Sequence, residues 1–216
     1  MLKITSSMVD ILSKVKEFRA SLNEEMFNLF HELSHGQKPH TLFISCSDSR
    51  VVPEVITNSK PGELFVVRNI ANIVPRYEDD NEVGIPMKAA IEYAVLVLKV
   101  QNVVVCGHSS CGGCAAMDFN SVDESIKNVY IHVGLVKDEV ISKVDANEHL
   151  GNSRSEVIEK VNVITQIEHL MSYPFIKHKL DNGEIKIFGW YFHIPTAKVF
   201  NYNSLTREFE EIKYLA

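Results

Sequence analysis

The stretch QNVVVCGHSSCGG, residues 101–113, joins a strand pattern to a cluster of metal-binding residue types. Its β-branched run is typical of a central strand, and Gly107 marks the end of that strand. A second apolar run, HTLFIS at 40–45, leads in the same way into CSDSR at 46–50. Polar motifs that follow the core strands of a parallel sheet lie at its carboxyl edge, where ligand sites form. We therefore expect the two motifs to meet at one edge of the sheet.

Strand and helix patterns alternate through the middle of the chain, and the core strands are apolar on both faces. Strands are predicted at 40–45, 62–70 and 101–107, helices at 85–100, 124–143 and 154–171, a hairpin turning at Pro195-Thr196 within 184–203, a last strand within 207–214, and one or two amphipathic helices within 8–34. This order predicts an α/β fold with a mainly parallel central β-sheet flanked by helices. The 216 residues contain no repeat or linker. We expect a single domain over 1–216, with residues 1–36 as an N-terminal helical arm.

Composition excludes several classes of partner. The net charge is −6 and no basic cluster is present, which argues against binding to nucleic acid. No apolar run approaches the roughly 20 residues that span a bilayer, and the N-terminal pattern lacks the features of a signal peptide. We therefore expect a cytoplasmic protein without a membrane partner. In a reducing compartment its four cysteines are metal-binding, catalytic or buried rather than disulfide-bonded.

The two motifs together supply a metal-ligand set. His108 and Cys111 are three residues apart, a spacing that places both side chains on one face of a helix's first turn. With Cys46 they offer two thiolates and one imidazole, which suits tetrahedral zinc. Three protein ligands leave a fourth position for water, whose pKa zinc lowers from about 15.7 to around 7. Asp48, two residues after Cys46, is close enough to contest that position.

Each motif alone has a plainer interpretation. A cysteine at a strand end is usually a small buried hydrophobe, and a lone histidine beside glycine and serine is usually a turn residue. GHSSC also approaches the nucleophile elbow G-x-S-x-G, but Cys111 replaces the second glycine. Cys106 is expected to pack inside its strand, and Cys114 is a weaker candidate, as a ligand or as a redox partner of Cys111. The occurrence of both motifs after two core strands favours the metal site.

Cys46-x-Asp48-Ser49-Arg50 followed by His108-x-x-Cys111 resembles the β-class carbonic anhydrases. Segments 61–75, 89–113 and 187–192 are also similar to that family. The resemblance implies one Zn2+ per chain, held by Cys46, His108 and Cys111. It implies reversible hydration of CO2 to bicarbonate and a proton, through attack of zinc-bound hydroxide. It also implies an obligate homodimer, often paired into a homotetramer.

The resemblance further implies catalytic roles for Asp48 and Arg50. A guanidinium fork binds a carboxylate bidentately, so Arg50 would keep Asp48 ionised as an acceptor for the reacting water. Asp48 would become a fourth zinc ligand only in a closed state. Family members that close in this way use a Trp, an Arg and a Tyr to hold a second bicarbonate. Here those positions hold Phe43, Arg68 and Phe192, so two polar groups are missing.

The open, plant-like members are the better match. Their substrate pocket corresponds to Gln37, Phe65, Ile70, Tyr93 and Gly112. In the family, Gln37, Phe65 and Tyr93 come from the neighbouring subunit. Without the resemblance, Phe65, Ile70 and Tyr93 would be interpreted as ordinary packing residues.

Two other functions stay open at this point. One is hydrolysis of a CO2 analogue, CS2 or COS, on the same scaffold. The other is a non-catalytic zinc protein, whose signature would be a fourth permanent ligand and no Asp–Arg pair. The sequence assigns no proton-shuttle role to His31, His35 or His40.

Overall fold

A computed structural model describes residues 10–80, 82–119 and 123–213, which form two units divided between Gln37 and Lys38. The first unit has two helices, α1 (Ile11–Ser21) and α2 (Glu24–Leu33). The side chains of Asp10 and Asn23 cap these helices by accepting hydrogen bonds from backbone amides. The predicted helices within 8–34 are thus confirmed where the chain is described, and residues 8 and 9 lie outside the described residues. That the whole chain is one domain stays a prediction.

The second unit alternates strands and helices. Its strands are β1 (Thr41–Cys46), β2 (Leu64–Asn69), β3 (Asn102–His108), β4 (Lys186–His193), β5 (Lys198–Asn203) and β6 (Glu208–Glu211). Its helices are α3 (Pro53–Thr57), α4 (Ile85–Glu92), α5 (Gly112–Met117), α6 (Lys127–Gly134), α7 (Lys137–Val144), α8 (Arg154–Leu170) and α9 (Pro174–Asp181). Short 3₁₀ turns occupy Ile70–Asn72, Glu82–Gly84, Glu124–Ile126, Asp145–Leu150 and Ile194–Thr196. No helix in the described part of the chain has both the length and the apolar character needed to cross a membrane.

The six strands form one sheet in the order β2-β1-β3-β4-β5-β6. The first four are parallel, and β5 and β6 continue the sheet antiparallel. The predicted α/β fold with a mainly parallel sheet is therefore confirmed. From β1 the chain crosses to β2 on one side and later to β3 on the other, so β1 and β3 flank the point where the strand order reverses. Ligand sites of open parallel sheets form at this point.

The pairing register of β1 and β3 determines which residues of the two motifs lie side by side at that edge. Ser45 of β1 lies opposite Cys106 of β3, so Cys46 ends level with Gly107 and next to His108. Helix α8 covers this end of the sheet closely, because Gly107 and Gly189 have no side chains. A Cβ on Gly107 would lie 2.5 Å from Val163 of α8. The close approach brings the first turns of α8 directly behind the metal-binding motifs.

Three differences from the predicted elements have local causes. Helix α3 has only five residues and begins at Pro53, and α9 begins at Pro174 and is rich in charged residues, so neither shows a long apolar period. The predicted helix at 124–143 is split, because Val136 takes a non-helical φ of −134°. The predicted helix at 85–100 is α4 followed by one π-helical turn, Tyr93–Val97. The last predicted strand is confirmed as β6, and residue 214 lies outside the described residues.

Candidate metal centre and active site

The three predicted ligands come together at the carboxyl edge of the sheet. Their ligand atoms all lie within 4.8 Å of one another, and the Sγ atoms of Cys46 and Cys111 are 3.9 Å apart. All three side chains are buried. The Nδ1 atom of His108 donates to the carbonyl of Ser109 at 3.0 Å, so Nε2 carries a free lone pair. Within the described residues Nε2 has no hydrogen-bond partner, although it is buried.

The chemistry of this donor set fits zinc. The neighbouring Cys111 thiol and burial together raise the pKa of Cys46 to about 12. Two buried thiols in contact therefore stay protonated unless a cation compensates their negative charge. Two sulfur atoms and one imidazole nitrogen are the ligands that zinc prefers. Among the described residues no fourth His, Cys, Asp or Glu joins the group.

The route by which His108 and Cys111 meet differs from the predicted one. His108 is the last residue of β3 and Cys111 is the N-cap of α5, so the two do not share a helical turn. Ser110 between them has a left-handed backbone, with φ of 57°, which folds the chain back on itself. Cys106 is buried within β3 as expected. Cys114 is buried on α5 beside Cys111 but outside the group of three ligand atoms.

Asp48 and Arg50 form the predicted dyad. The Nε atom of Arg50 donates to Oδ1 of Asp48 at 2.9 Å, and its Nη2 atom donates to Oδ2 at 2.6 Å. These hydrogen bonds hold the pKa of the Asp48 carboxyl well below its usual range. Oδ2 also lies 3.9 Å from Nε2 of His108. An ionised carboxylate therefore lies beside the three predicted metal ligands.

A second arginine holds the loop that carries Cys46 and Asp48. Arg68 of β2 donates to the carbonyl of Cys46 at 3.0 Å, of Asp48 at 2.6 Å and of Val51 at 2.7 Å. Arg50 links this loop to the other motif by donating to the carbonyl of Ser110 at 3.0 Å. The guanidinium group of Arg68 is thus occupied by backbone oxygens. Phe43, where closing members have a Trp, is fully buried in an apolar cluster.

The turn Ile70–Asn72 forms one wall of the site. Ala71 and Asn72 both have positive φ, 62° and 47°, and His132 donates to the carbonyl of Ile70 at 2.9 Å. A Cβ on Gly113 would lie 2.6 Å from Cγ2 of Ile70, so only glycine allows this contact. Gly112 has no atom within 4 Å of its Cβ position. Space is therefore open above Gly112.

Phe65 and Tyr93, two further predicted pocket residues, lie away from this edge of the sheet, and Gln37 belongs to the first unit. Gln37 is exposed and is the last residue of the first unit. The rings of Phe65 and Tyr93 pack on each other with centroids 5.9 Å apart, and 45% of Tyr93 is exposed. Phe65 lies opposite Leu42, four residues before the end of β1, which places it roughly 13 Å along the strand from the level of Cys46.

Comparisons with known proteins identify the family of the chain. Residues 41–199 match the family model described as "Carbonic anhydrase". A carbonic anhydrase of Helicobacter pylori (strain J99) is 39% identical over 203 residues, which cover 91% of both chains. One from Synechocystis sp. is 36% identical and covers 94% of this chain and 73% of the relative. The chain belongs to the β-class carbonic anhydrases.

Solved β-carbonic anhydrases share the fold. The enzyme CcaA has a TM-score of 0.85 and 36% identity, covering 93% of this chain and 97% of that chain. A tetrameric enzyme of Sordaria macrospora has a TM-score of 0.75 and 30% identity, covering 88% and 94%. Sequence reasoning missed three contacts around the site of this carbonic anhydrase. Arg68 donates to backbone carbonyls, Gly113 packs closely on Ile70, and the amide of Cys111 donates to Glu159 of α8. A double glycine was the only available signal for Gly113.

Proposed function

We propose that the chain catalyses the reversible hydration of CO2 to bicarbonate and a proton, with one Zn2+ held by Cys46, His108 and Cys111. The observation that carries the proposal is the group of three buried ligand atoms beside the ionised carboxylate of Asp48. Zinc bound there supplies Lewis acidity, which lowers the pKa of a bound water towards neutrality.

Asp48 and Arg50 would orient the reacting water. A carboxylate held ionised by Arg50 can only accept a hydrogen bond, so a water beside it must donate. That donation leaves an oxygen lone pair free to face CO2. Arg50 prevents Asp48 from taking the proton or turning away, because both carboxylate oxygens are already bound.

The walls of the site suit a small apolar substrate. Ile70 would present its apolar side chain to CO2, and Gly112 leaves the necessary space free. We assign Gln37 to the pocket as an amide that contacts the substrate from a neighbouring subunit. These roles follow the family pattern and are part of the proposal.

We assign the chain to the open type, in which Asp48 stays on Arg50. The bidentate Asp48–Arg50 contact supports this assignment, as do the occupied guanidinium of Arg68 and the apolar surroundings of Phe43. The guanidinium of Arg68 already donates to three carbonyls, and Phe43 offers no polar atom that could help it to bind a second bicarbonate. Activity should therefore persist at neutral pH and show no cooperative inhibition by bicarbonate.

Stopped-flow CO2 hydration across pH tests the function. Wild type should be active near neutral pH, Asp48→Asn should lose about a hundredfold or more, and Cys46→Ala should be inactive. His108→Ala should lose the zinc that wild type binds at about one ion per chain. Equal activity in wild type, Asp48→Asn and Cys46→Ala would contradict the proposal. Assays with CS2 and COS on the same preparations would separate hydration from hydrolysis of a CO2 analogue.

A homodimer is part of the proposal. Phe65 lies about 13 Å along the strand from the level of Cys46, so in this chain the Phe65–Tyr93 pair is better placed to serve the site of another copy. Leu96 and Val97 beside Tyr93 are also exposed, which fits a subunit interface. Dimers would then pair into the homotetramer that some relatives form.

Mixing two inactive variants tests the shared site. Cys46→Ala lacks a ligand of its own metal site, and Tyr93→Ala lacks the tyrosine that would complete the pocket of the partner subunit. A mixed dimer of the two carries one complete site, so refolding them together should restore activity that neither homodimer has. Absence of restored activity in dimers of confirmed mixed composition would contradict the shared site. A cytoplasmic location stays a prediction, favoured because a reducing compartment keeps the Cys46 and Cys111 thiols available.

A further inference from the structure

Glu159 is a buried carboxylate that the proposed mechanism does not use. It lies on α8, and only 2% of it is exposed. Burial raises the pKa of Glu159 above its ordinary range, because an ionised carboxylate loses its hydration there. A carboxylate in such a place must be compensated by hydrogen-bond donors.

Three donors converge on Glu159. The amide of Cys111 donates to Oε1 at 3.0 Å, and the hydroxyl of Tyr191 donates to Oε2 at 2.9 Å. The hydroxyl of Ser155 donates to Oε1 at 3.3 Å. One of the three donors is thus a backbone amide of the turn that carries the second thiol.

This turn needs external support. The positive φ of Ser110 is uncommon for a residue with a Cβ, and persists only where the surroundings fix it. Arg50 donates to the carbonyl of Ser110, and Glu159 accepts from the amide of Cys111, which belongs to the same peptide group. Between them they hold both edges of the Ser110–Cys111 peptide group, and hence the direction of the Cys111 side chain.

We propose that Glu159, itself held by Tyr191, is a positioning residue that fixes the Ser110–Cys111 turn so that the Cys111 thiol meets Cys46 and His108. The inference rests on the proposed zinc-dependent function and adds to it a residue 48 positions after Cys111. Helix α8 can deliver this carboxylate because Gly107 lets the helix lie close to β3.

Zinc affinity, measured by competition with a chelator, tests the role without relying on activity. Glu159→Ala should weaken zinc binding by about tenfold to a hundredfold, the usual effect of losing a group that orients a ligand. The thiolate-to-metal band of the Co2+-substituted protein should also change. Glu159→Gln retains one acceptor oxygen for the Cys111 amide, so it should restore affinity to within about threefold.

Gln166→Ala is the matched control. Gln166 is buried on the same helix and accepts from the amide of Val74, away from the metal-binding turn. Its loss should lower stability but leave zinc affinity and the Co2+ spectrum unchanged. A folded Glu159→Ala protein with wild-type affinity and spectrum would overturn the inference.

If Glu159→Ala does not fold, a double-mutant cycle of Tyr191→Phe and Glu159→Gln tests the inference instead. Tyr191→Phe removes only the hydroxyl that donates to Glu159, and should weaken zinc binding by about threefold. In the Glu159→Gln background its effect should differ from this value, because both residues act through the same turn. Strictly additive effects would overturn the inference. A wild-type protein that binds no zinc would instead overturn the proposed function, and this inference with it.

Discussion

The two metal-binding motifs are held in opposite ways. The loop after β1 is largely exposed and is held by cations: Arg68 binds its carbonyls and Arg50 binds the Asp48 carboxylate. The turn after β3 is held through the amide of Cys111 by Glu159, a buried carboxyl group. Water can compete for the first set of contacts but not for the second. The contacts that hold Asp48 are partly open to solvent, whereas the contact that holds Cys111 is buried.

Replacing Arg50 should produce the largest effect, because it releases Asp48. Arg50→Lys keeps the charge but loses the planar fork, and with it one Asp48 contact and the link to Ser110. We expect kcat/KM, measured at saturating zinc, to fall about a hundredfold, or about 2.7 kcal/mol. Stopped-flow assays and the Co2+ spectrum would show whether Asp48 has moved to the metal.

Arg154→Lys provides the control for that change. Arg154 also binds an aspartate, Asp118, through two nitrogen atoms, but on the surface and away from both motifs. Its replacement should alter activity by less than twofold. A similar loss of activity in both variants would show that Arg50 acts only through general stability. It would contradict a specific role for the Asp48–Arg50 contact.

Two adjacent glycines test the fixed turn. A Cβ on Gly113 would lie 2.6 Å from Ile70 and 2.9 Å from Ala71, while Gly112 has open space. Gly113→Ala should therefore lower the free energy of unfolding by about 2 kcal/mol through overpacking. Gly112→Ala should be neutral or stabilising by up to about 1 kcal/mol, because alanine is preferred to glycine in a helix. Urea unfolding of both variants would measure the difference, and equal losses would contradict the fixed-wall interpretation.

Arg68 tests whether the exposed loop needs its cation. Arg68→Gln leaves three carbonyls to water, so kcat/KM should fall about tenfold, or about 1.4 kcal/mol, while stability changes little. Arg68→Lys should recover part of the loss, because an ammonium can reach one or two of these oxygens. The opposite outcome would contradict the prediction: if Arg68→Gln unfolds more easily but its folded fraction has wild-type activity, the loop keeps its conformation without Arg68.

Sequence reasoning predicted the parts of the site that follow strand ends. Cys46 and His108 end two core strands, so strand patterns alone place them at one edge of the sheet. The left-handed Ser110 was not predictable, because no glycine or asparagine marks it. Glu159 was not predicted either, because nothing in the sequence of the 154–171 helix marks it as buried. Only the close packing of α8 on the sheet buries it, and that packing depends on tertiary structure.

Replacing a third carboxylate, Glu139, should have the smallest effect, because Glu139 stabilises the fold and has no role in the proposed reaction. It accepts from Arg76, from Lys143 and from His169, and it touches neither motif. Burial opposes ionisation of Glu139, yet the hydrogen bonds of Lys143 and His169 outweigh it and hold the pKa at about 2, below the ordinary 4.5. Glu139→Gln should cost about 1 kcal/mol at pH 7 and leave activity unchanged.

The pH dependence of that cost follows from the direction of the shift. A carboxylate with a lowered folded-state pKa stabilises the fold above its unfolded value and loses that contribution as pH falls through the folded value. The gap between wild type and Glu139→Gln in urea unfolding should hold above about pH 4.5 and close as the pH falls to about 2. Glu184→Gln is the control, since Glu184 pairs with Lys179 at the surface, where solvent screens the ion pair, and should show a much smaller gap. A stability gap that persists at pH 2 would mean that Glu139 stabilises the fold through packing and not through its charge. A loss of activity in Glu139→Gln would mean that this carboxylate also affects the site, although it does not contact either motif.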